Sequence, residues 1–238
     1  GLLAVGVAGR AKGGGSAASG AAGAAASMSA SAALREAAGH RGYWLINAGF
    51  FVCGFHIAFI ATHLPAYLDD KGLGIAIGAQ VLAFVGLFNI LGSYVFGRLG
   101  DTLPQKYILS VLYGARSVVI LLFLAMPLSQ ASALVFAAAM GFLWLGTVPL
   151  TSGLVGRIFG VQHLSMLYGI VFLTHQVGSF FGAWAGGLIF DATGNYDVMW
   201  AVSVALGFAA VVLHLPIADR NLRAAAACNW RGRTGWQR

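Results

Sequence analysis

Six apolar runs dominate this sequence, and they restrict its fold more than any other feature. They lie at about Tyr43–Tyr67, Ile75–Phe96, Tyr107–Pro127, Ser132–Val155, Leu164–Phe190 and Val198–Ile217. Each is close to the roughly 20 residues a helix needs to cross a bilayer. None carries a polar helical face that would let it pack in water with one side exposed. Only 9% of the 238 residues are charged and 59% are hydrophobic, whereas a soluble domain carries about 25% charged residues. The expected fold is therefore all-α, a polytopic membrane protein with six transmembrane helices at residues 43–217.

The net charge of +7 suggests a nucleic-acid partner, but the cations form no face. They stand at the ends of apolar runs, where they anchor a helix against anionic lipid, so nucleic-acid binding is excluded. Their distribution also sets an orientation. With both termini inside, Arg10, Lys12, Arg35, Arg41, Arg98, Lys106, Arg157, Arg220, Arg223, Arg231, Arg233 and Arg238 share the cytoplasmic side. Lys71 alone lies outside, with Asp69, Asp70, Asp191 and Asp197. That is the positive-inside arrangement of an inner-membrane protein.

Residues 1–42 are rich in Gly, Ala and Ser and read as a flexible cytoplasmic linker. Within it Ser31–Ala38 is a short surface-helix candidate, and Gly1–Ala8 is apolar enough to end a preceding span. Residues 218–238 form a basic cytoplasmic tail. The chain opens on Gly1 with no signal-peptide pattern, so a longer polypeptide is expected. Cys53 and Cys228 lie too far apart in this topology to pair, and neither has metal-ligand spacing with histidine.

Between the second and third runs stands a polar knot, Gly97-Arg98-Leu99-Gly100-Asp101-Thr102-Leu103-Pro104-Gln105-Lys106. It reads as a tight reversal in which the Asp101 carboxylate accepts from the N–H groups opening the next helix. The pattern G-x-x-x-D-x-x-x-x-K between two spans resembles the cytoplasmic loop signature of the major facilitator superfamily. Gly178-x3-Gly182-x3-Gly186 running on to Asp191-Ala192-Thr193-Gly194-Asn195-Tyr196 is similar to that family's eleventh span and outer loop. More loosely, Phe51–His56 through Thr62–Leu68 looks like bacterial relatives of monocarboxylate and oxalate/formate porters. The resemblance implies the C-terminal six-helix half of a transporter. Its N-terminal six-helix half would lie upstream, and Gly97, Arg98, Asp101 and Lys106 would serve as a conformational latch. Those porters often place a cation deep in the second or fifth span of this half; here those spans offer Asn89 and His175–Gln176.

Polar groups at membrane depth are costly and so mark function or specific packing. His56 lies near the middle of the first span, and imidazole as a class exchanges protons near neutral pH. It is a ligand or proton-relay candidate, or a neutral donor to a neighbouring helix. His63 is read as an outer-end residue, part of a gate. Asn89, with Ser93, gives the second span a polar face suited to a solute or to an interhelical bond. His175 and Gln176 sit midway in the fifth span. Thr147 and Thr151 flank Pro149 in the fourth, where proline loosens the backbone. Arg116, the one charge inside a span, either holds an anion or partners a carbonyl of another helix. Gly178, Gly182 and Gly186 form a stripe for close helix packing, or a sliding surface between halves.

Seven acidic residues, almost all in loops, supply no paired carboxylates, and the Gly-rich runs follow no strand. The expectation is no enzyme, no cofactor and no metal. The function expected is secondary active transport of a small polar or anionic solute by alternating access, with the proton as a candidate coupling ion. Efflux of lipophilic compounds and a truncated, non-transporting scaffold or sensor are the alternatives.

Overall fold

A computed structural model describes residues 28–219. The N-terminal stretch through residue 27, including Gly1–Ala8, Arg10 and Lys12, lies outside the described residues. So does the tail from Arg220, with Cys228, Arg223, Arg231, Arg233 and Arg238. Among the described residues eight helices follow one another: α1 (Ala30–Ala38), α2 (Arg41–Asp70), α3 (Ile75–Thr102), α4 (Gln105–Ala125), α5 (Gln130–Phe142), α6 (Thr147–Phe159), α7 (Leu164–Thr193) and α8 (Asp197–His214). Six segments are long and apolar enough to cross a membrane, with α5 and α6 together making the fourth. The all-α, six-span expectation holds.

The helix ends follow local chemistry. Ser29 caps α1 by accepting from the Ala32 N–H, and Ser129 forms a reciprocal capping box with Ser132 at the start of α5. Gly194 ends α7 in the left-handed conformation (φ 70°) that glycine adopts without a Cβ penalty. Leu103 is extended, as the residue before a proline prefers, and it is the point where α3 stops.

One expectation is corrected here. The polar knot is not a tight reversal along its length, because most of it is helix. Helix α3 runs through Arg98 and Asp101 to Thr102, and α4 begins at Gln105 with Pro104 at its N-cap. Asp101 therefore sits in the last turn of α3 and does not cap α4. A carboxylate there meets the negative end of the helix dipole. The fourth span breaks at Leu143–Gly146, around the Leu145 carbonyl that Pro149, lacking an N–H, cannot serve, as the proline reading expects; Pro149 itself lies inside α6.

The bundle is assembled from three helix pairs, α2 with α7, α3 with α5 and α4 with α8. Small residues bring two of these pairs into backbone contact, which is how helices gain packing energy in lipid. On α7, a Cβ at Gly178 would fall on the Phe51 carbonyl and one at Gly182 on the Phe55 carbonyl. On α3, a Cβ at Gly92 would fall on the Phe142 carbonyl. The glycine stripe thus faces α2 inside this bundle, and Gly178, Gly182 and Gly186 are buried.

One apolar core lies toward the Lys106 end, around Ile46, Phe50, Leu109 and Ile158. The other lies toward the opposite end, where Phe59, Phe123, Phe136 and Trp200 interlock, with Phe59–Trp200 and Phe123–Phe136 centroids at 4.9 and 4.2 Å. Burial is uneven. Helix α2 buries 61% of its apolar stretch, but α3 and α7 bury 22% each. Those two leave Leu87, Ile90, Tyr94, Phe180 and Trp184 on the outside.

Candidate functional site

The polar side chains at membrane depth gather on the broken fourth span. Arg116, on α4 and 1% exposed, reaches across to it. Its Nε and Nη2 donate to the Leu143 carbonyl at 3.0 and 2.7 Å, and Nη2 also donates to the Trp144 carbonyl. Its Nη1 donates to Cys53 Sγ at 3.4 Å, and the guanidinium lies 5.4 Å from the Tyr113 ring centroid. Cys53 Sγ in turn lies 3.2 Å from Thr147 Oγ1 at the first turn of α6. From the other side, Asn89 Oδ1 accepts from the Leu145 N–H at 3.0 Å and from Ser93 Oγ at 3.3 Å. Arg116 and Asn89, two of the residues proposed from the sequence, thus meet at one break and satisfy its loose carbonyls and amide.

His175 on α7 adjoins this cluster through a side-chain contact with Cys53, while His56 and His63 lie elsewhere. His56, 1% exposed, donates through Nε2 to the Ser203 carbonyl of α8 at 2.7 Å. Its Nδ1 is then a bare acceptor, buried and without a partner among the described residues. His175 pairs through Nδ1 with Gln176 Oε1 at 3.1 Å, and an amide oxygen can only accept, so Nδ1 carries the proton. Its Nε2 is buried with no well-formed hydrogen bond among the described residues, and the ring lies against the Cys53 thiol. Phe50 and Phe172 pack on the His175 ring, with centroids 4.8 and 5.5 Å away. Thr151, one turn along α6 from Thr147, has a buried Oγ1 with no partner among the described residues. Each of these three atoms is buried and able to accept a hydrogen bond, and Thr151 Oγ1 can also donate one; leaving such a bond unmade is costly. His63 donates to the Ala183 carbonyl at 2.8 Å and packs where Gly186 leaves room. Gln176 itself is exposed on α7.

The latch residues lie at the end of the bundle. Lys106 Nζ donates to the carbonyls of Leu215 and Ile217 at 3.3 and 2.9 Å, closing the C-terminal end of α8. Arg157 donates to the Gly100 carbonyl at 2.9 Å and pairs with Asp219 at 3.6 Å. Arg98 lies over the Tyr94 ring at 5.9 Å, and a Cβ at Gly97 would meet open space. Asp101 is exposed and has no hydrogen bond or ion pair among the described residues.

Sequence reasoning missed Cys53 as the neighbour of Arg116 and Ser203 as the acceptor for His56. It also missed the position of the break. Gly141 and Gly146, flanking Phe142–Leu145 within an otherwise apolar run, were the available signal. Among the described residues no group of three His, Cys, Asp or Glu side chains is placed to hold a metal ion.

Such an arrangement, a six-span helical bundle with isolated polar groups buried between spans, is that of a multi-pass membrane protein. No family model matches the chain. It is 30% identical over 203 residues to the uncharacterized MFS-type transporter YcxA of Bacillus subtilis, an alignment covering 79% of this chain and 49% of that protein. It is also 30% identical over 178 residues to monocarboxylate transporter 13 of Rattus norvegicus, covering 72% of this chain and 39% of that protein. The uncharacterized MFS-type transporter YhjX of Escherichia coli is 23% identical over 149 residues, 61% of this chain and 37% of that protein. The chain belongs to the major facilitator superfamily, of which it forms a six-helix half, and it spans about half the length of the first of these relatives or less.

Proposed function

We propose that this chain is the C-terminal half of a secondary active transporter that moves a small anionic solute, a monocarboxylate in the first instance, by alternating access. The observation that carries the reading is its similarity, across most of its length, to proteins named as MFS-type and monocarboxylate transporters. Two further features support it. Helices α3 and α7 leave most of their apolar stretch uncovered, which suits contact with an N-terminal six-helix half as well as with lipid. His56 Nδ1 is a bare acceptor in the bundle, and His175 lies against the Cys53 thiol; a proton-coupled carrier needs such groups in the membrane. In this reading the termini are cytoplasmic, the membrane is the inner one, and the proton is the coupling ion.

Asp101, exposed and alone at the C-terminal end of α3, completes the latch by pairing with a cation of the other half in one conformation. The test is uptake of radiolabelled small monocarboxylates by cells producing the native protein, with and without an imposed proton gradient. The reading predicts saturable uptake that rises with an inward gradient and is lost in a deletion strain. Uptake identical in the deletion strain, across a panel of monocarboxylates, would overturn the substrate class. Export of lipophilic dyes by the same cells would replace it with the efflux reading.

A further inference from the structure

Arg116 is a charge buried without a carboxylate. Among the described residues the one ion pair joins Arg157 to Asp219, far from it at the end of the bundle. Two Arg116 nitrogens donate to the carbonyls of Leu143 and Trp144, which solvate the guanidinium and do not neutralise it. A buried charge with no counter-charge is costly. The third nitrogen, Nη1, points at Cys53 Sγ. Other donors converge on that sulfur. Thr147 Oγ1 lies 3.2 Å away, and its hydroxyl proton can turn toward it. Tyr113 Oη, buried with no well-formed hydrogen bond among the described residues, also lies against it. A neutral thiol sulfur is a weak acceptor, yet three donors meet here on one.

His175 completes the surround. Its Nδ1 gives its proton to Gln176 Oε1, so Nε2 is the nitrogen left to take one. The residue is 7% exposed, and its ring lies against Cys53. Main chain fixes this approach: a Cβ at Gly54, the residue after Cys53, would fall on the His175 carbonyl. Phe172 lies parallel to the imidazole at 5.5 Å and holds its plane. Two further titratable groups stand close by, Tyr168 facing Cys53 and His56 facing Arg116.

We propose that Cys53 and His175 share one proton and hold it as thiolate and imidazolium, with the thiolate serving as the counter-charge of Arg116. The Sγ–H bond breaks and leaves its electron pair on sulfur, while an Nε2–H bond forms. Nothing is oxidised, and the net charge of the pair is unchanged. The thiolate then accepts from Arg116, Thr147, Tyr113 and His175, and such charge-assisted bonds are about twice as strong as neutral ones. The imidazolium donates from both nitrogens, to Gln176 Oε1 and to sulfur. A guanidinium or imidazolium neighbour is also what stabilises thiolates generally. Gln176, next along α7, is exposed, so the pair stands just inside a face of the bundle. Its use rests on the transport reading above, in which this pair is where the coupling proton is held.

Infrared spectroscopy of the full chain in lipid nanodiscs tests the pair without any flux, with Cys228→Ser leaving Cys53 as the one thiol. In His175→Phe the proton has no acceptor, and the S–H stretch of Cys53 should appear at full intensity. The chain with His175 intact should show at most about a third of that band at neutral pH, because its sulfur is thiolate. Nitrogen NMR of isotopically labelled histidine reads the other end of the bond. His175 should carry protons on both nitrogens, and on Nδ1 alone in Cys53→Ser, whose hydroxyl keeps its proton. Should His175→Phe fail to fold by circular dichroism and gel filtration, the Cys53→Ser comparison carries the test alone. A full S–H band with His175 intact, or a His175 protonated once, would overturn the pair. Uptake by cells producing the native protein is a separate readout: Cys53→Ser should lose the response to a proton gradient, and an unaltered response would remove the pair from coupling. Absence of monocarboxylate uptake before any substitution would sink the solute reading and leave the spectra to decide the pair.

Discussion

Adding one methyl group to α7 should have opposite effects depending on which glycine receives it. At Gly178 and Gly182 the new Cβ would fall on the backbone carbonyls of Phe51 and Phe55. Backbone cannot rotate away as a side-chain tip can, so α2 and α7 must part along their whole contact, the largest in the bundle. Overpacking of this kind costs about 1–3 kcal/mol, and the upper end applies because the obstacle is main chain. At Gly169 on the same helix, and at Gly86 on α3, an added Cβ meets nothing within 4 Å. There alanine gains only its better helix propensity, worth roughly 0.5–1 kcal/mol. Gly182→Ala and Gly169→Ala should therefore differ by about 1.5–4 kcal/mol, the sum of the two effects. That is more than tenfold in the folding equilibrium. Purified variants in one detergent, unfolded by heat or by graded denaturing detergent and followed by tryptophan fluorescence, give the comparison. Equal stability of the two variants, or a stabilised Gly182→Ala, would refute the placement of the stripe against α2. Gly182→Leu, bulkier at the same point, should be more damaging still.

Other outcomes follow from single contacts. Lys106→Ala removes the donor to Leu215 and Ile217 and should destabilise the end of α8 by about 0.3–1 kcal/mol, as a cation lost from a helix C-terminus does; faster exchange confined to residues 211–217 is the readout. His56→Phe keeps the ring volume but removes the donor to the Ser203 carbonyl, which keeps its own helical bond within α8, at a cost of about 0.5–1.5 kcal/mol for one lost hydrogen bond. In cells it should also abolish the response of uptake to an imposed proton gradient if His56 relays the proton. Asp101→Asn should lower the maximal uptake rate at least several-fold while leaving the half-saturating concentration within twofold, since the latch is far from any solute; unchanged turnover would remove Asp101 from the latch.

The sequence declared the spans because hydrophobic length is a local property: α3 begins at Ile75 and α7 at Leu164, where the apolar runs begin. It misjudged where α3 ends because hydropathy marks the edge of the lipid and not the end of the helix. Helix α3 projects past Phe96 through Gly97–Thr102 before Leu103–Pro104 stops it. The break in the fourth span was half legible: Pro149, Gly141 and Gly146 mark it locally, but its partners do not show. It is capped by Arg116, 27 residues before Leu143, and by Asn89, 56 residues before Leu145, which reach it only once three helices have met. For the same reason the sequence left Arg116 open between an anion and a carbonyl, and this structure places carbonyls there. The glycine stripe was legible as a stripe, but its partner helix was not, because small residues permit close approach without naming what approaches. His56 and His175 were found by the rarity of polar groups in a span, and only the coordinates distinguish the bonded nitrogen of each from the bare one.

The account as a whole rests on this chain being one half of a two-half carrier. The mass of the native polypeptide, measured intact from cell membranes, tests that most directly. The account predicts a protein long enough to hold six further spans, about twice the 24.7 kDa of this chain. A native protein of 24.7 kDa that shows neither self-association nor solute flux would contradict it.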